Sequence, residues 1–437
     1  MVLQEMREIY RSFAEFVLAS YKRPVNRRAV MRIVFFTHYY PPEVNAPASR
    51  TSEHCRVWAE LGHEVTVVTG APNHPHGQIY PGYRNRLWSR ERVDGVDVVR
   101  LWTYVAPNQG FGRRTLNYVS FLVSAVFALP LLPRADVYVS TSPQFFCGLI
   151  GVFAKALRRK PWALEIRDLW PESIVAVGAM RKGLATRALE GLEAFAYRQA
   201  DAIVSVTRSF TPHIGERCGN PSKIAVFVNG VDAVRFEPPA DREAAKAQFG
   251  LSGKIVAAYV GTHGMAHGLE TMLDAAETLA NELDIVFLLV GDGSERQRLE
   301  AERDRRGLKN VVMLGQRPKS DMPAIWGATD VSLILLKRSD TFKKVLPSKM
   351  AEAMAMQCPI VLGVEGEAAA VLEDSRAGVA IEPENAAQLA DAVLKFARDP
   401  ERRRAMGEAG RAFALKRLDR SAIARDYLAM LQSTAGK

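Results

Sequence analysis

The sequence predicts an α/β protein made of two doubly wound, Rossmann-like domains that face each other across a cleft. Two series of short apolar runs alternate with segments of helical spacing, the first within residues 32–228 and the second within 254–364. The runs have strand length and few polar positions, as expected for strands buried on both faces of a parallel sheet. Between the two series, "VNGVDAVRFEPPAD" at 228–241 contains Asn-Gly and Pro-Pro, which often mark a junction.

Each apolar run is predicted as a strand, and helical stretches such as 50–62 lie between most of them. In chain order the predicted strands are 32–40, 64–70, 96–102, 136–141, 163–167, 202–206, 224–228, 254–261, 284–293, 310–315, 331–336 and 359–364. The predicted organisation is an amino-terminal extension at 1–30, a first domain at 31–232, a second domain at 233–415, and a carboxy-terminal helix at 416–437 that packs back toward the first domain.

The positive charge of the chain is concentrated in its first half. The net charge is +10, and residues 1–230 hold 29 Lys and Arg against 18 Asp and Glu, whereas residues 231–437 hold 29 against 30. A basic half suits an anionic surface such as a membrane, a nucleic acid or a phosphorylated substrate. The sequence contains no nucleic-acid module and no basic stripe interleaved with aromatic residues, so we expect no nucleic-acid partner.

The cysteines and the amino terminus favour a cytoplasmic protein. The four cysteines are scattered without a CxxC pair, which argues against a disulfide framework or a zinc site and fits a reducing compartment. Residues 1–30 form an amphipathic segment of mixed charge without a sustained apolar core, so we expect no secretory signal.

The most apolar window, "NYVSFLVSAVFALPLLP" at 117–133, has two interpretations. It is shorter than the roughly 18 residues that a spanning helix needs, and it contains Pro130. It is either a helix buried against the first sheet or a partly exposed helix that dips into a membrane surface. In the second case Arg113 and Arg114, which precede it, would contact anionic head groups.

Four predicted strand ends in the second half carry residues suited to ligand binding, because ligands of open α/β sheets bind beyond the carboxyl ends of the strands. Glycines permit close backbone approach, and a helix amino terminus favours an anion. Each end also has a purely structural interpretation, namely packing glycines, a helix cap at Asp292, or an ordinary loop. The four ends are "GTHGMAHG" at 261–268, "VGDG" at 290–293, "GQRP" at 315–318 and "KVLPSKMAEAMAMQCPIV" at 344–361.

The last of these ends places one lysine and one carboxylate at the start of an apolar helix. Pro347 at the start of the helix leaves free amides at Ser348 and Lys349, which can donate to a phosphate. Glu352 can accept hydrogen bonds from two adjacent hydroxyls, as a ribose presents them. The alternative is that Glu352 only complements the helix dipole, which contributes about 0.3–1 kcal/mol.

Taken together, these motifs resemble the donor domain of retaining glycosyltransferases of family four, which have the two-domain GT-B fold. The segments "FFTHYYPPEVNAPASR" (35–50), "APNHPHGQIYPGY" (71–83) and "IRDLWPES" (166–173) resemble the bacterial branch that builds lipopolysaccharide, capsule and exopolysaccharide, including its N-acetylfucosamine transferases. The resemblance covers about residues 31–430. It implies a hexosyltransferase that takes a nucleotide sugar, UDP-linked, and transfers the sugar to a polyprenyl-diphosphate-linked acceptor at the inner face of the cytoplasmic membrane.

The resemblance also implies roles for individual residues. The implied catalytic residues are Lys349, Arg50 and Asp168. The implied donor-binding residues are Gly261, Thr262, His263, His267, Gly291, Gly293, Gln316, Arg317, Ser348, Lys349 and Glu352. The implied acceptor-side residues are Asn45, His74, Asp168 and Glu172. Asp168 followed by Pro171 has a structural alternative, in which the two residues only cap and turn the chain.

The sequence departs from the family pattern at three positions. The family often has an arginine where this chain has Thr262 and a lysine where it has His267, and Lys344 stands eight positions before Glu352, where the family often has a second glutamate. The usual acid that contacts the sugar hydroxyls is therefore missing, which a 6-deoxy sugar would tolerate because it needs fewer polar partners.

The resemblance implies a metal-free mechanism without a side-chain nucleophile. Negative charge builds on the leaving diphosphate, where preorganised donors stabilise the transition state. No DxD motif stands where a metal-dependent transferase would need it, and we expect neither a metal nor a cofactor. Two other classes stay open: a nucleotide-sugar epimerase of the same fold, and a non-catalytic subunit that binds a nucleotide sugar.

Overall fold

The computed structural model describes residues 30–74, 76–106, 111–142, 144–176 and 183–436. The predicted extension at 1–30 lies outside the described residues except for Val30. Residues 32–437 form one compact unit, and it contains two β-sheets.

The first sheet is built by the first half of the chain and has the strand order β3-β4-β2-β1-β5-β6-β7-β8. All neighbouring strands are parallel except β3, which pairs with β4 in antiparallel orientation. The strands are β1 Arg32–Phe36, β2 Glu64–Gly70, β3 Trp88–Val93, β4 Val96–Leu101, β5 Val137–Thr141, β6 Trp162–Ile166, β7 Ala202–Ser205 and β8 Ile224–Val226.

The second sheet has the strand order β11-β10-β9-β12-β13-β14, and all of its strands are parallel. This order is the one that a doubly wound dinucleotide-binding domain shows, with the first strand of the series at the centre. The strands are β9 Ile255–Val260, β10 Ile285–Val290, β11 Val311–Gly315, β12 Val331–Leu335, β13 Ile360–Gly363 and β14 Gly378–Ala380.

Helices connect the strands and cover both sheets. In the first half they are α1 Ala46–Glu60, α2 Phe111–Ala128, α3 Phe145–Arg158, α4 Glu172–Ala176, α5 Leu184–Gln199 and α6 Thr211–Cys218. In the second half they are α7 Arg242–Ala247, α8 Glu270–Thr278, α9 Arg296–Arg306, α10 Met322–Gly327, α11 Lys349–Ala355, α12 Glu367–Ser375, α13 Ala386–Arg398, α14 Pro400–Arg417 and α15 Arg420–Ala435.

The predicted fold class is confirmed, and each strand predicted from an apolar run is present with ends shifted by a few residues. Two strands were not predicted, β3 and β14. The sequence of β3, "WSRERV", is charged because β3 lies at the sheet edge and faces solvent. β14 is only three residues long and therefore too short to give a hydrophobic pattern.

The chain passes between the two halves twice, and the two crossing segments are hydrogen-bonded to each other. The first crossing follows β8, and the second lies between α14 and α15. At this point the Val231 amide donates to the Leu418 carbonyl at 2.8 Å, and the Arg420 amide donates to the Val231 carbonyl at 3.0 Å.

The final helix, α15, packs on α1 of the first half. The indole of Trp58 donates to the carbonyl of Ala424 at 2.8 Å, and the Trp58 and Tyr427 rings meet edge to face with centroids 5.3 Å apart. Both rings are fully buried. The last helix therefore completes the hydrophobic surface of the first half, although it follows the second half in the chain.

Candidate functional site

The candidate site lies where the strand order of the second sheet reverses direction. β9 has β10 on one side and β12 on the other, so the loops that leave β9 and β12 run to opposite faces of the sheet and open a crevice between them. The loop after β9 carries Gly261 to Gly268, and the segment after β12 leads to Lys349 at the start of α11. Two of the four predicted strand ends therefore meet at this crevice.

Lys349 places its ammonium group against the ring of Tyr259, with Nζ 3.6 Å from the ring centroid. The Nζ atom is buried and has no hydrogen-bond partner in the described part of the chain. Burial lowers the pKa of Lys349 to about 7, although the nearby Glu352 acts in the opposite direction. A buried amine without an oxygen partner costs stability, so its position needs an explanation beyond packing.

His263 and His267 lie near the same tyrosine. Their ring centroids are 6.0 and 5.9 Å from that of Tyr259. His263 is fully buried, and neither of its ring nitrogens has a partner among the described residues; the same holds for Nδ1 of His267. Burial is the main cause that lowers the pKa of each histidine to about 4. Both imidazoles are therefore neutral at pH 7.

Glu352 lies one turn into α11 with its carboxylate held by the indole of Trp326, which donates at 3.0 Å. Burial raises the pKa of Glu352, and the indole, Lys319 and Arg235 oppose that change. The side chain is half-buried. One carboxylate oxygen is thus fixed by Trp326 while the group as a whole stays partly accessible, as a binding site for vicinal hydroxyls requires.

Packing requires glycine at positions 291 and 293, because a side chain there would collide with the neighbouring backbone. A Cβ atom on Gly291 would lie 1.8 Å from the Gly261 carbonyl oxygen, and one on Gly293 would lie 2.4 Å from the His263 carbonyl oxygen. The His263 amide donates to the Asp292 carbonyl at 2.9 Å. These glycines therefore bring the loops after β9 and β10 into backbone contact, and by doing so they position His263.

The remaining predicted donor-binding residues lie on exposed loops around the crevice. Thr262 is exposed, and its carbonyl accepts from the Tyr259 hydroxyl at 2.9 Å. Gln316 and Arg317 are exposed on the loop after β11, and Ser348 is exposed directly before α11. Their roles in donor binding remain predictions.

Arg50, one of the predicted catalytic residues, is bound within the protein. It is 4% exposed, and Nε donates to Glu165 at 3.1 Å. Its terminal nitrogens donate to the Phe227 carbonyl at 2.7 Å and to the Val228 carbonyl at 3.0 Å. Arg50 therefore fastens the first crossing between the halves to the first sheet, and it does not face the cleft as a free cation.

Asn45 and His74 occupy the loops beyond β1 and β2. Asn45 caps α1, where its side-chain oxygen accepts from the Ala48 amide at 2.9 Å. His74 is half-buried beside Tyr39, with ring centroids 4.9 Å apart. The buried carboxylate of Glu43 joins the two loops, because it accepts from the His74 amide at 2.9 Å.

Asp168 and Glu172 follow β6 in the first half. Burial raises the pKa of Asp168 to about 6, whereas its hydrogen bond to Ser173 acts in the opposite direction. Glu172 forms an ion pair with Lys344 of the second half, with Nζ and Oε1 3.1 Å apart, and lies 3.3 Å from His213. The lysine that replaces the expected second glutamate is therefore engaged across the cleft.

A second contact across the cleft comes from Glu367 at the start of α12. Its carboxylate accepts from the Arg208 amide at 2.9 Å, from the Ser209 amide at 2.8 Å and from the Thr207 hydroxyl. Together with the pair of Lys344 and Glu172, this contact links the two halves in addition to the crossings.

Sequence reasoning missed Tyr259, Trp326, Glu43 and Glu367. Tyr259 lies on the same face of its strand as Gly261, two residues on, and this period-2 relation could have placed it under the crevice. Nothing local to "AIWGATD" indicates that Trp326 reaches Glu352, which is 26 positions away. The same holds for Glu367, whose partners lie about 160 positions earlier.

The apolar window predicted to be buried or membrane-facing is partly exposed. Residues 112–131 are long and apolar enough to cross a membrane by length and composition, and 28% of that window is buried in the protein. Phe127 and Leu131 are 79% and 73% exposed. The same helix packs with its other face on α3, so it is also a core element of the first half.

Each half of the chain matches a known protein family. Residues 45–230 match the family of glycosyl transferase 4-like domains, and residues 241–413 match the family of glycosyl transferases group 1. A putative colanic acid biosynthesis glycosyl transferase, WcaI, of Escherichia coli strain K12 is 28% identical over 344 residues, which are 77% of this chain and 84% of the relative.

Solved structures match the fold over nearly the whole chain. Sucrose-phosphate synthase from Thermosynechococcus elongatus superposes with a TM-score of 0.72 at 18% identity, covering 92% of this chain and 98% of that protein. HepE (Alr3699) of Anabaena, solved in complex with UDP, superposes with a TM-score of 0.68 at 17% identity, covering 92% of this chain and all of that protein.

The chain is therefore a glycosyltransferase whose two parallel-sheet domains adopt the GT-B fold. It combines a glycosyl transferase 4-like domain in the first half with a group 1 domain in the second, and the crevice around Lys349 and Glu352 belongs to the second.

Proposed function

We propose that the protein transfers a hexose, with retention of anomeric configuration, from a UDP-linked nucleotide sugar to a polyprenyl-diphosphate-linked glycan in surface polysaccharide synthesis. The observation that carries the proposal is the arrangement at the reversal point of the second sheet. There an unpartnered buried ammonium, that of Lys349, and a half-buried carboxylate, that of Glu352, lie one helical turn apart. A nucleoside diphosphate presents the complementary pair of groups, an anion and a vicinal diol.

In this proposal Glu352 accepts the two ribose hydroxyls, and Trp326 orients the carboxylate for that contact. Ser348 and Lys349 contact the diphosphate, while Gln316 and Arg317 lie at the base. The complex of the Anabaena protein with UDP supports a uridine nucleotide as the first donor to test.

Lys349 is the group that acts on the reaction itself. As the bond between the anomeric carbon and the phosphate breaks, negative charge grows on the leaving diphosphate, and a preorganised cation stabilises that charge. Arg50 does not contribute, because its donors are bound within the protein. Asp168 of the first half serves at most to orient the acceptor hydroxyl. A phosphate oxygen of the donor accepts the proton of that hydroxyl. The proposed reaction needs no metal.

The acceptor is inferred from a similar protein, and the sugar is inferred from Lys344, which stands where the family often has a glutamate. The Escherichia coli relative is named for colanic acid biosynthesis. The ion pair with Glu172 occupies Lys344, so this position does not supply the acid that would bind sugar hydroxyls. An N-acetylated 6-deoxy sugar fits this reduced set of partners.

A lipid-linked acceptor requires a membrane surface, and we place it at α2 and α3, so that the protein is a peripheral protein of the cytoplasmic face. The exposed apolar side chains on these two helices and the turn after α2 are Leu116, Val123, Phe127, Leu131, Phe153 and Leu157. Arg113 and Arg114, at the start of α2, are exposed, and each basic residue near an anionic surface contributes about 1 kcal/mol.

Vesicle flotation tests the membrane assignment. The protein should float with vesicles that contain phosphatidylglycerol and should be released as salt rises. The double variant Phe127→Ser, Leu131→Ser should lose flotation, whereas Leu283→Ser, at an exposed apolar position of the second half, should retain it. Equal flotation of all three proteins would reject this surface.

The activity is tested by release of free UDP from UDP-sugars with and without lipid extract as acceptor. Transferase activity requires the acceptor for UDP release and persists in EDTA. Conversion of the sugar without UDP release would favour an epimerase, and UDP binding without any turnover would favour a binding subunit. A thermal-shift screen of nucleoside diphosphates comes first, because ligand at 100 times its dissociation constant adds about 2.7 kcal/mol to the unfolding free energy.

A further inference from the structure

Three titratable side chains lie around the ring of Tyr259, and they contribute four nitrogens. They are Nζ of Lys349, both ring nitrogens of His263 and Nδ1 of His267, none of which has a hydrogen-bond partner in the described residues. Nζ of Lys349 lies 3.6 Å from the centroid of the Tyr259 ring. The ring centroids of His263 and His267 lie 6.0 and 5.9 Å from it. We call these three side chains the amine cluster.

The charged groups that face the amine cluster balance one another. Arg296 of α9 is paired with Glu300 at 2.8 Å and lies 4.0 Å from Asp292, so the charges beside His263 cancel in part. Glu352 is the acid that faces Lys349, and it in turn faces two other cations. The titratable and charged groups around the cluster are Asp292, Arg296 and Glu300 near His263, Lys349 near both histidines, Glu352 near Lys349, and Lys319 and Arg235 near Glu352.

The loop after β9 adds no permanently charged cation to the amine cluster. Its sequence from Gly261 to Gly268 is "GTHGMAHG", without arginine or lysine. The only amine with a high ordinary pKa in the cluster is that of Lys349, and burial lowers its pKa to about 7. A large part of the cluster is therefore uncharged near neutral pH when only the protein's own groups surround it.

We propose that the amine cluster binds the donor diphosphate with uptake of protons, so that the positive charge that holds the leaving group is created when the nucleotide binds. An adjacent dianion favours the charged form of each nitrogen and supplies the missing hydrogen-bond acceptors. Lys349 takes up its proton near pH 8, and the histidines take up theirs at lower pH. The inference rests on the proposed function, since it requires that a nucleotide diphosphate occupies this crevice.

Proton uptake is measured by isothermal titration of UDP into the protein at pH 8 in two buffers of different ionisation enthalpy. At pH 8 the terminal phosphate of UDP is fully ionised, since its pKa is about 6, and contact with cations only strengthens that ionisation. Any uptake therefore belongs to the protein. We expect roughly 0.5–1 proton per UDP, and UDP affinity that rises up to about tenfold for each unit of pH decrease between pH 9 and 7.

Two variants assign the uptake. Lys349→Met should lose most of the uptake at pH 8 and should bind UDP with little dependence on pH. Lys309→Gln removes an exposed lysine next to the amino end of β11, away from the crevice, and should behave like the wild type. At pH 6, the double variant His263→Gln, His267→Gln should take up fewer protons than the wild type. Any proton that UDP itself takes up or releases is the same in both titrations and cancels in the comparison.

The outcomes separate the two proposals. UDP binding by the wild type without proton uptake at pH 8, or undiminished uptake by Lys349→Met, overturns the amine-cluster inference and leaves the proposed function standing. Failure of UDP, GDP and ADP to raise the melting temperature or to bind at any pH from 6 to 9 overturns the proposed function together with the inference. The wild-type measurement alone decides the matter if a histidine variant does not fold.

Discussion

Arg50 and Lys349 are both basic side chains with buried end groups, and they differ in what their nitrogens contact. Each lies near the start of a helix that follows a strand of its own sheet. Arg50 donates to a carboxylate and to carbonyl oxygens of the first crossing. Lys349 contacts a tyrosine ring and no oxygen partner in the described chain. A basic group whose nitrogens all have hydrogen-bond acceptors contributes to stability, whereas one without partners costs stability and is available to a ligand. Four substitutions test this difference.

Removal of Arg50 should have the largest effect. Arg50→Met leaves Glu165, which is 1% exposed, as a buried charge without its partner and should lower the unfolding free energy by about 3–5 kcal/mol. Urea denaturation measures the change. The double variant Arg50→Met, Glu165→Gln should recover part of the loss, because it no longer buries an unpaired charge. A stable Arg50→Met protein with a much reduced kcat would contradict the structural role of Arg50.

Substitution of Lys349 should show the opposite pattern. Lys349→Met should lower kcat by about 10- to 100-fold, with a smaller effect on nucleoside binding, since a hydrogen bond to a charged group contributes about 1.5–3 kcal/mol. Its melting temperature at pH 7 should rise. Kinetics and melting on the same sample distinguish the two effects, and a lowered melting temperature with normal kcat would mean that Lys349 is structural.

The stability gain of Lys349→Met should depend on pH with a defined sign. The folded-state pKa of Lys349, about 7, lies below its ordinary value of 10.5, so the unfolded chain binds more protons between these two values. The wild type therefore becomes more stable as pH rises from 7 toward 10.5. The gain from Lys349→Met should be greatest at or below pH 7 and should shrink above it, as urea denaturation at several pH values can show.

Glu352→Gln tests the carboxylate beside Lys349 and should change kinetics without changing stability. Glutamine keeps an acceptor oxygen for the Trp326 indole but loses the charge. We expect kcat/KM for the nucleotide sugar to fall by about 10- to 100-fold and the melting temperature to remain close to that of the wild type. If Glu352 only complemented the helix dipole, the result would be a stability loss below about 1 kcal/mol with unaltered kinetics.

Lys344→Gln should have the smallest effect. Its pair with Glu172 is partly exposed, and such pairs contribute about 0–1 kcal/mol. Unfolding free energy should change by less than that, and KM should change more than kcat if the pair holds the cleft closed. The charge reversal Lys344→Glu with Glu172→Lys restores the attraction and should restore KM; its failure to do so would show that the position, and not the pair, matters.

The difference between Arg50 and Lys349 also shows what the sequence could predict. Lys349 and Glu352 are signalled locally, by a Pro-Ser-Lys turn between a strand and a short apolar helix. The partners of Arg50 lie 115 positions away at Glu165 and 178 positions away at Val228, so no local pattern shows that its donors are already bound. The resemblance implied a catalytic role for Arg50 and gave no information on these contacts.

The same reasoning applies to the fold. Strands buried on both faces give continuous apolar runs, and all of these were predicted, together with the doubly wound arrangement. The edge strand β3 and the three-residue β14 were not, because edge exposure and short length remove the pattern. The predicted roles of the loop residues remain predictions, and Gly291 and Gly293 have gained a packing function that a motif alone does not reveal.

The paired crossings at Val231 and Leu418 have a consequence for dividing this protein into fragments. Because α15 lies on α1 and covers Trp58, a cut near residue 230 would leave residues 32–229 without part of their own hydrophobic surface, and it would leave that part attached to the other piece. We therefore expect the first half to be insoluble when produced alone and to recover when the second piece is co-expressed. The last helix would then act as the attachment point through which the two separately made pieces assemble into one enzyme.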